Sequence, residues 1–172
     1  KTATVVWLGI AYAQLGKRVL LVDADLRRPQ LHKVFDLPRG GGLTALLTAG
    51  AQLNECVQNT PVDGLDVVVA GEFVDHPNEL LSSNKMTELR RIMVDNYDLV
   101  IFDTPPISAV SDALVLSQMV DGVAVVVRSK THTRMLIKHT VERLQQVNAK
   151  ILGIVLNAVN TDGTTYYKYR YY

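Results

Sequence analysis

The sequence is poor in several things, and each shortage excludes something. There is one cysteine, Cys56, in 172 residues, so no internal disulfide can form, which fits a reducing compartment. Neither sign of charge dominates. Lys and Arg together number 18, Asp and Glu 17, and the formal net charge is +1. That excludes a nucleic-acid binder working by bulk basicity. Apolar runs are short: the stretch from Val5 to Ala13 falls far below the ~20 residues a membrane helix needs. No charged-then-apolar leader opens the chain. What is present is an ordinary globular composition, 48% hydrophobic and 20% charged, enough for one domain with a sizeable core.

Aromatic residues are scarce at 6%, and they are unevenly placed. Tyrosine supplies 7 of them, and five of those (Tyr166, Tyr167, Tyr169, Tyr171 and Tyr172) fall at the C-terminal end. Lys168 and Arg170 make this stretch basic. It has neither strand alternation nor a helical stripe, and the polar run Asn160 to Thr165 before it carries a turn signal. The division expected is a domain over 1–160 and a flexible tail over 161–172.

Short apolar runs recur between helical stretches. Arg18 to Val22, Leu65 to Ala70, Asp98 to Phe102, Gly122 to Val127 and Lys150 to Leu156 read as buried parallel strands. Thr2 to Gly16 reads as a helix that is apolar nearly all round and therefore buried, with Gly16 as its stop. Glu79 to Val94, Ser111 to Met119 and Thr133 to Val147 read as further helices. This alternation predicts an α/β fold with an open, mostly parallel sheet and helices on both faces. The segment from Arg27 to Gly64 is less regular, and its Arg39-Gly40-Gly41-Gly42 run reads as a flexible surface loop.

In open α/β sheets ligands sit at the carboxyl ends of the strands. Two strands here end in acids, Leu20-Leu21-Val22-Asp23-Ala24-Asp25 and Leu99-Val100-Ile101-Phe102-Asp103. Such carboxylates hold the metal of a bound nucleotide in many proteins. The chain opens Lys1-Thr2-Ala3-Thr4 directly into a helix. That pair matches the last two positions of the phosphate-binding loop G-x-x-x-x-G-K-[ST], whose glycines and preceding strand would then lie upstream of Lys1. The histidines at 32, 76, 132 and 139 show no close metal-ligand spacing. Asp112 suits a helix N-terminus.

Together these motifs resemble the bacterial tyrosine kinases that accompany capsular and exopolysaccharide export. Val22-Asp23-Ala24-Asp25-Leu26-Arg27-Arg28-Pro29 looks like their Walker A′ motif and Val100-Ile101-Phe102-Asp103-Thr104-Pro105-Pro106 like their Walker B motif. Lys1-Thr2 would close Walker A. Pro77-Asn78-Glu79-Leu80-Leu81 and Gly153-Ile154-Val155-Leu156-Asn157 resemble further family segments, and the tyrosine cluster completes the match.

The resemblance implies a P-loop NTPase-like kinase using ATP and Mg²⁺. Lys1 would neutralise charge on the β- and γ-phosphates, and the Thr2 and Ala3 amides would face phosphate oxygens. Thr2, Asp25 and Asp103 would serve the metal. Asp23 would orient or deprotonate the tyrosine hydroxyl, a role exchangeable with that of Asp25. Asn157 would read the adenine edge or simply cap its loop. Arg27 would stabilise transferred charge or form a structural salt bridge.

The five tail tyrosines would be the phosphoacceptors, served by a neighbouring subunit within a ring-like homo-oligomer. Five phosphates would move the tail from +2 to roughly −6 to −8 and so repel the subunits. The other partners implied are a membrane polysaccharide co-polymerase, fused upstream or separate, and a cognate tyrosine phosphatase. No nucleic acid is expected. The location implied is cytoplasmic, at the inner face of the cell membrane. Two other readings are an ATPase switch of the ParA/MinD type and a non-catalytic module phosphorylated by another kinase.

Overall fold

The structure is a computed structural model that describes residues 1–129 and 131–159. The tyrosine cluster and the expected boundary at 160 lie outside the described residues.

The chain starts in helix α1 (Thr2–Gln14), then forms strand β1 (Val19–Asp23), short helices α2 (Leu31–Val34), α3 (Gly42–Thr48) and α4 (Leu53–Cys56), and strands β2 (Val57–Asn59) and β3 (Leu65–Val68). Helices α5 (Pro77–Leu81) and α6 (Asn84–Asn96) lead to β4 (Leu99–Asp103), and α7 (Asp112–Ser117), β5 (Val123–Arg128), α8 (Arg134–Gln146) and β6 (Ile151–Asn157) follow. Four strands pair in the order β2-β3-β1-β4. β1 runs parallel to β3 and β4, while β2 is an antiparallel edge. β5 and β6 form a separate parallel pair.

β1 explains the layering. All five of its residues are buried, as a strand covered on both faces must be. Successive side chains point to opposite faces. Leu20 and Val22 therefore pack with Leu43, Leu47, Leu81, Met86 and Met93 on one side. Val19 and Leu21 pack with Val6, Ala13, Leu31, Leu65 and Val67 on the other. A third cluster, Val125, Val127 and Leu144, holds α8 on the β5–β6 pair. The α/β class with helices on both faces is thus as expected, although the described strands make two sheets rather than one.

Four details differ from expectation. First, α1 is not buried all round: it lays Val6, Gly9 and Ala13 on the sheet, while Trp7 is 70% and Leu15 75% exposed. Contact is confined to the face on which Gly9, lacking a side chain, lets the helix approach Leu21 and Leu65. Second, the helix expected over Glu79 to Val94 is two helices. Ser83 caps α6 by accepting the Met86 amide at 3.2 Å, which a continuous helix would not allow. Third, the irregular stretch contributes a strand, the short antiparallel edge β2, although the sheet remains mostly parallel as expected. Fourth, the glycine run is not a loose loop. Gly42 is buried with φ +76°, and a Cβ there would collide with the Val69 carbonyl. The close approach lets Leu43 and Thr44 donate to the Val69 and Ala70 carbonyls at 2.8 and 2.9 Å. Only glycine meets both demands.

Candidate nucleotide and phosphoryl-transfer site

The parallel register of β1 and β4 sets Asp23 beside Asp103 at the carboxyl ends of the two strands. The Ala24 amide donates to the Asp103 carbonyl at 2.8 Å and prolongs the pairing one residue further. Both carboxylates are buried, Asp23 at 0% and Asp103 at 3% exposure. The N-terminus of α1 points at the same spot. The Thr2 hydroxyl donates to Asp103 Oδ2 at 2.5 Å, a contact between residues 101 positions apart. Lys1 precedes it, and its charge acts on the Asp103 carboxyl.

Burial lifts both acids. Asp23 is pushed up to about 6 by desolvation, against which the Leu31 and Gln30 amides pull down. Asp103 is also raised by burial, and the Thr2 hydroxyl and the Lys1 charge oppose that. The loop after β1 folds back around Asp23: Oδ2 accepts the Gln30 and Leu31 amides, each at 2.9 Å, and Oδ1 the Asp25 amide at 3.3 Å. Asp25 is half-buried and its Oδ1 accepts the Arg28 amide at 2.9 Å.

Asn157 ends β6. Its Nδ2 donates to Thr4 Oγ1 at 3.4 Å and its Oδ1 accepts the Ala158 amide at 2.6 Å, so its side chain ties the end of β6 to α1. Between these elements lies a cavity of about 490 Å³, lined by Lys1, Thr104 to Ser108, the β5 residues, His132 and Asn157. A larger cavity of about 880 Å³ opens beside Arg18, Gly64 and Tyr97, which precede β1, β3 and β4. That is the wrong end of the sheet for a ligand of this architecture.

The structure therefore brings together Lys1, Thr2, Asp23, Asp25 and Asp103. It places Ala3 in the first turn of α1 and Asn157 across the smaller cavity. Arg27 turns away to an ion pair with Asp112, Nε to Oδ2 at 2.8 Å. Asp112 and Asn78 were not singled out as site residues by sequence, yet both reach this loop. The Pro-Asn-Glu-Leu-Leu and Ser-Asp-Ala strings were the available signals.

Among the described residues no group of three or more His, Cys, Asp or Glu is placed to hold a metal by itself. The donor set nonetheless suits Mg²⁺, which is held by one or two carboxylates or hydroxyls together with substrate phosphates and water. The joined Thr2 hydroxyl and Asp103 carboxylate are that kind of pair. No described helix is long and apolar enough to cross a membrane.

A family model described as an AAA domain matches residues 1–154. The tyrosine-protein kinase YwqD of Bacillus subtilis is 38% identical over 169 residues, covering 98% of this chain and 71% of that protein. The tyrosine-protein kinase ptk of Acinetobacter johnsonii is 40% identical over 160 residues, but this chain spans only 22% of its length. The solved structure of the kinase domain of the Escherichia coli tyrosine kinase ETK superposes with a TM-score of 0.87 at 37% identity, covering 95% of this chain and 64% of that one. The cell division ATPase MinD of Pyrococcus furiosus shares the fold, with a TM-score of 0.71 at 22% identity, over 87% of this chain and 62% of that one.

Proposed function

This chain belongs to the bacterial tyrosine-protein kinases, and on that premise we propose that it transfers the γ-phosphate of ATP to tyrosines of its own C-terminal cluster, Tyr166, Tyr167, Tyr169, Tyr171 and Tyr172. The observation that carries the site assignment is the Thr2–Asp103 hydrogen bond at 2.5 Å, which joins a helix N-terminus to the end of an acid-tipped strand. The α1 amides of Thr2 and Ala3 and the Lys1 ammonium face the phosphates there. Thr2, Asp103 and Asp25 would hold a Mg²⁺ ion, which would supply charge neutralisation at the transferring group.

Transfer forms a bond between the tyrosine oxygen and the γ-phosphorus and breaks the bond from that phosphorus to the bridging oxygen of ADP. The phenol proton needs an acceptor, because a free phenol titrates near 10. Asp23 serves. Burial raises it to about 6, so it holds a proton better than an ordinary carboxylate and is still ionised at neutral pH. Its Oδ2 is committed to two backbone amides, while Oδ1 carries only the longer 3.3 Å contact and is the oxygen able to take the proton. Asn157 meets the adenine across the 490 Å³ cavity.

Transfer runs between subunits of a homo-oligomer, and charge on the modified tails opens it. The role in the cell is regulation of polysaccharide polymerisation and export at the inner face of the membrane. A membrane co-polymerase is the partner there and a tyrosine phosphatase resets the tail. The likeness to MinD favours one other reading, an ATPase with water as acceptor.

The test uses the full-length protein and γ-labelled ATP. Label should appear on the tail, vanish with Lys1→Met, and persist when Lys1→Met chains are mixed with active chains lacking residues 161–172. Label released only as inorganic phosphate would overturn the kinase reading in favour of the ATPase. Loss of label in the mixture would overturn transfer between subunits.

A further inference from the structure

Three strings of the sequence meet on one buried carboxylate. Asp112, the first residue of α7, has a fully buried side chain. It accepts Arg27 Nε at 2.8 Å and Nη2 at 3.3 Å, the two-pronged geometry that suits a guanidinium. It also accepts Asn78 Nδ2 at 3.4 Å, and the same amide donates to Ser111 Oγ at 3.0 Å. Arg27 comes from the loop after β1, Asn78 from the first turn of α5, and Asp112 from the end of the Pro-Pro loop after β4. The loops that carry Asp25 and follow Asp103 are thus clamped together by side chains in addition to the strand pairing.

We infer that Asp112 is a positioning residue for phosphoryl transfer: through Arg27, and with Asn78, it fixes the loop that presents Asp25 and encloses Asp23. The chain of contacts is short. Arg27 adjoins Arg28, whose amide holds Asp25 Oδ1 at 2.9 Å. The Asp25 amide in turn holds Asp23 Oδ1. Freeing Arg27 removes one tie from a loop otherwise held by Leu26, buried in the core, by the Gln30 side chain on the Arg28 and Pro29 carbonyls, and by the Gln30 and Leu31 amides on Asp23 Oδ2. Arg27 then acts by holding the loop, with its Nε and Nη2 engaged by Asp112. An uncompensated buried carboxylate is costly, so the pair persists although Arg27 is partly exposed.

This inference rests on the kinase reading for its effect on rate, but its effect on the loop can be measured without catalysis. Asp112→Asn and Arg27→Met are made in the full-length protein, with Asn78→Ser as a milder change that leaves no buried charge unpaired. Hydrogen exchange without nucleotide should quicken by about ten-fold or more at the Asp25 and Arg28 amides in the first two variants, with β1 amides unchanged. Unchanged exchange at Asp25 and Arg28 would overturn the inference.

Where the wild type labels its tail, kcat should fall about ten-fold or more in Asp112→Asn while ATP affinity stays within about two-fold. The double variant should be no worse than Arg27→Met alone. Multiplying losses would mean that Arg27 acts directly on the phosphate and would overturn the inference. If the wild type moves no phosphate to tyrosine, the kinase reading fails and the exchange comparison alone decides the positioning role.

Discussion

Asp23→Asn should make the protein more stable at neutral pH while removing transfer. Asp23 is wholly buried, beside a second buried acid, and its carboxyl titrates at about 6 in place of 3.8. Below 3.8 the group is protonated whether the chain is folded or not. Between 3.8 and about 6 the folded chain keeps a proton that the unfolded chain has lost, so the stability contributed by the protonated form is progressively lost as pH rises. Above about 6 the loss is complete. Two pK units at about 1.4 kcal/mol each give ~3 kcal/mol against folding at pH 7. Asparagine has no charge to desolvate, and its Oδ1 can still accept the Gln30 and Leu31 amides. Its NH₂ faces the Asp25 amide, forfeiting a contact of about 1 kcal/mol. The net gain is ~2 kcal/mol, or about 4–8 °C in Tm for a domain of this size. Thermal unfolding of metal- and nucleotide-free protein across pH 4 to 8 reads it. The advantage of the variant should be full at pH 7.5, vanish between pH 4 and 5, and turn below that into a deficit of up to about 1 kcal/mol from the lost contact. A Tm below wild type at pH 7.5, or a difference independent of pH, would refute the reasoning.

Two further predictions concern the helix that faces the phosphates and the glycine that docks α3. Thr2→Val removes the hydroxyl that donates to Asp103. The Asp103 carboxyl should rise further, and ATP affinity should drop about ten-fold with Mg²⁺ but little in EDTA, as titration calorimetry would show; an equal loss in EDTA would count against a metal role. Gly42→Ala drives a Cβ into the Val69 carbonyl at a positive φ. It should cost about 2–4 kcal/mol in urea unfolding, and a neutral result would return the glycine run to the status of a loose loop.

Much of this was legible in one dimension because the signals were local and strong. The five β-branched or leucine-rich runs became β1, β3, β4, β5 and β6, with ends that agree to within a residue or two. Thr133 caps α8 by accepting the Leu136 amide at 3.2 Å. Pro77 opens α5, where proline's missing N–H costs nothing. The less regular segment from Arg27 to Gly64 hid three short helices and β2, since elements of three to seven residues carry too little periodicity to declare themselves. The break at Ser82-Ser83 was hidden for another reason. Serine is compatible with a helix interior, and only its bond to the Met86 amide reveals a cap.

The sequence by itself determined the class of fold and the inventory of chemistry: two acid-tipped strands, a Lys-Thr pair opening a helix, and a cluster of tyrosines. Each rests on composition or on neighbours within a few residues. Tertiary structure decided which groups act on which. Register alone sets Asp23 against Asp103. The 101-residue separation of Thr2 and Asp103 closes only when α1 lies on the sheet. The fate of Arg27, evenly balanced between phosphate and salt bridge in the sequence, was decided by a buried carboxylate 85 residues away. Burial likewise moved Asp23 toward neutrality, because desolvation depends on what surrounds a carboxyl in space, and no count of residues along a chain contains that.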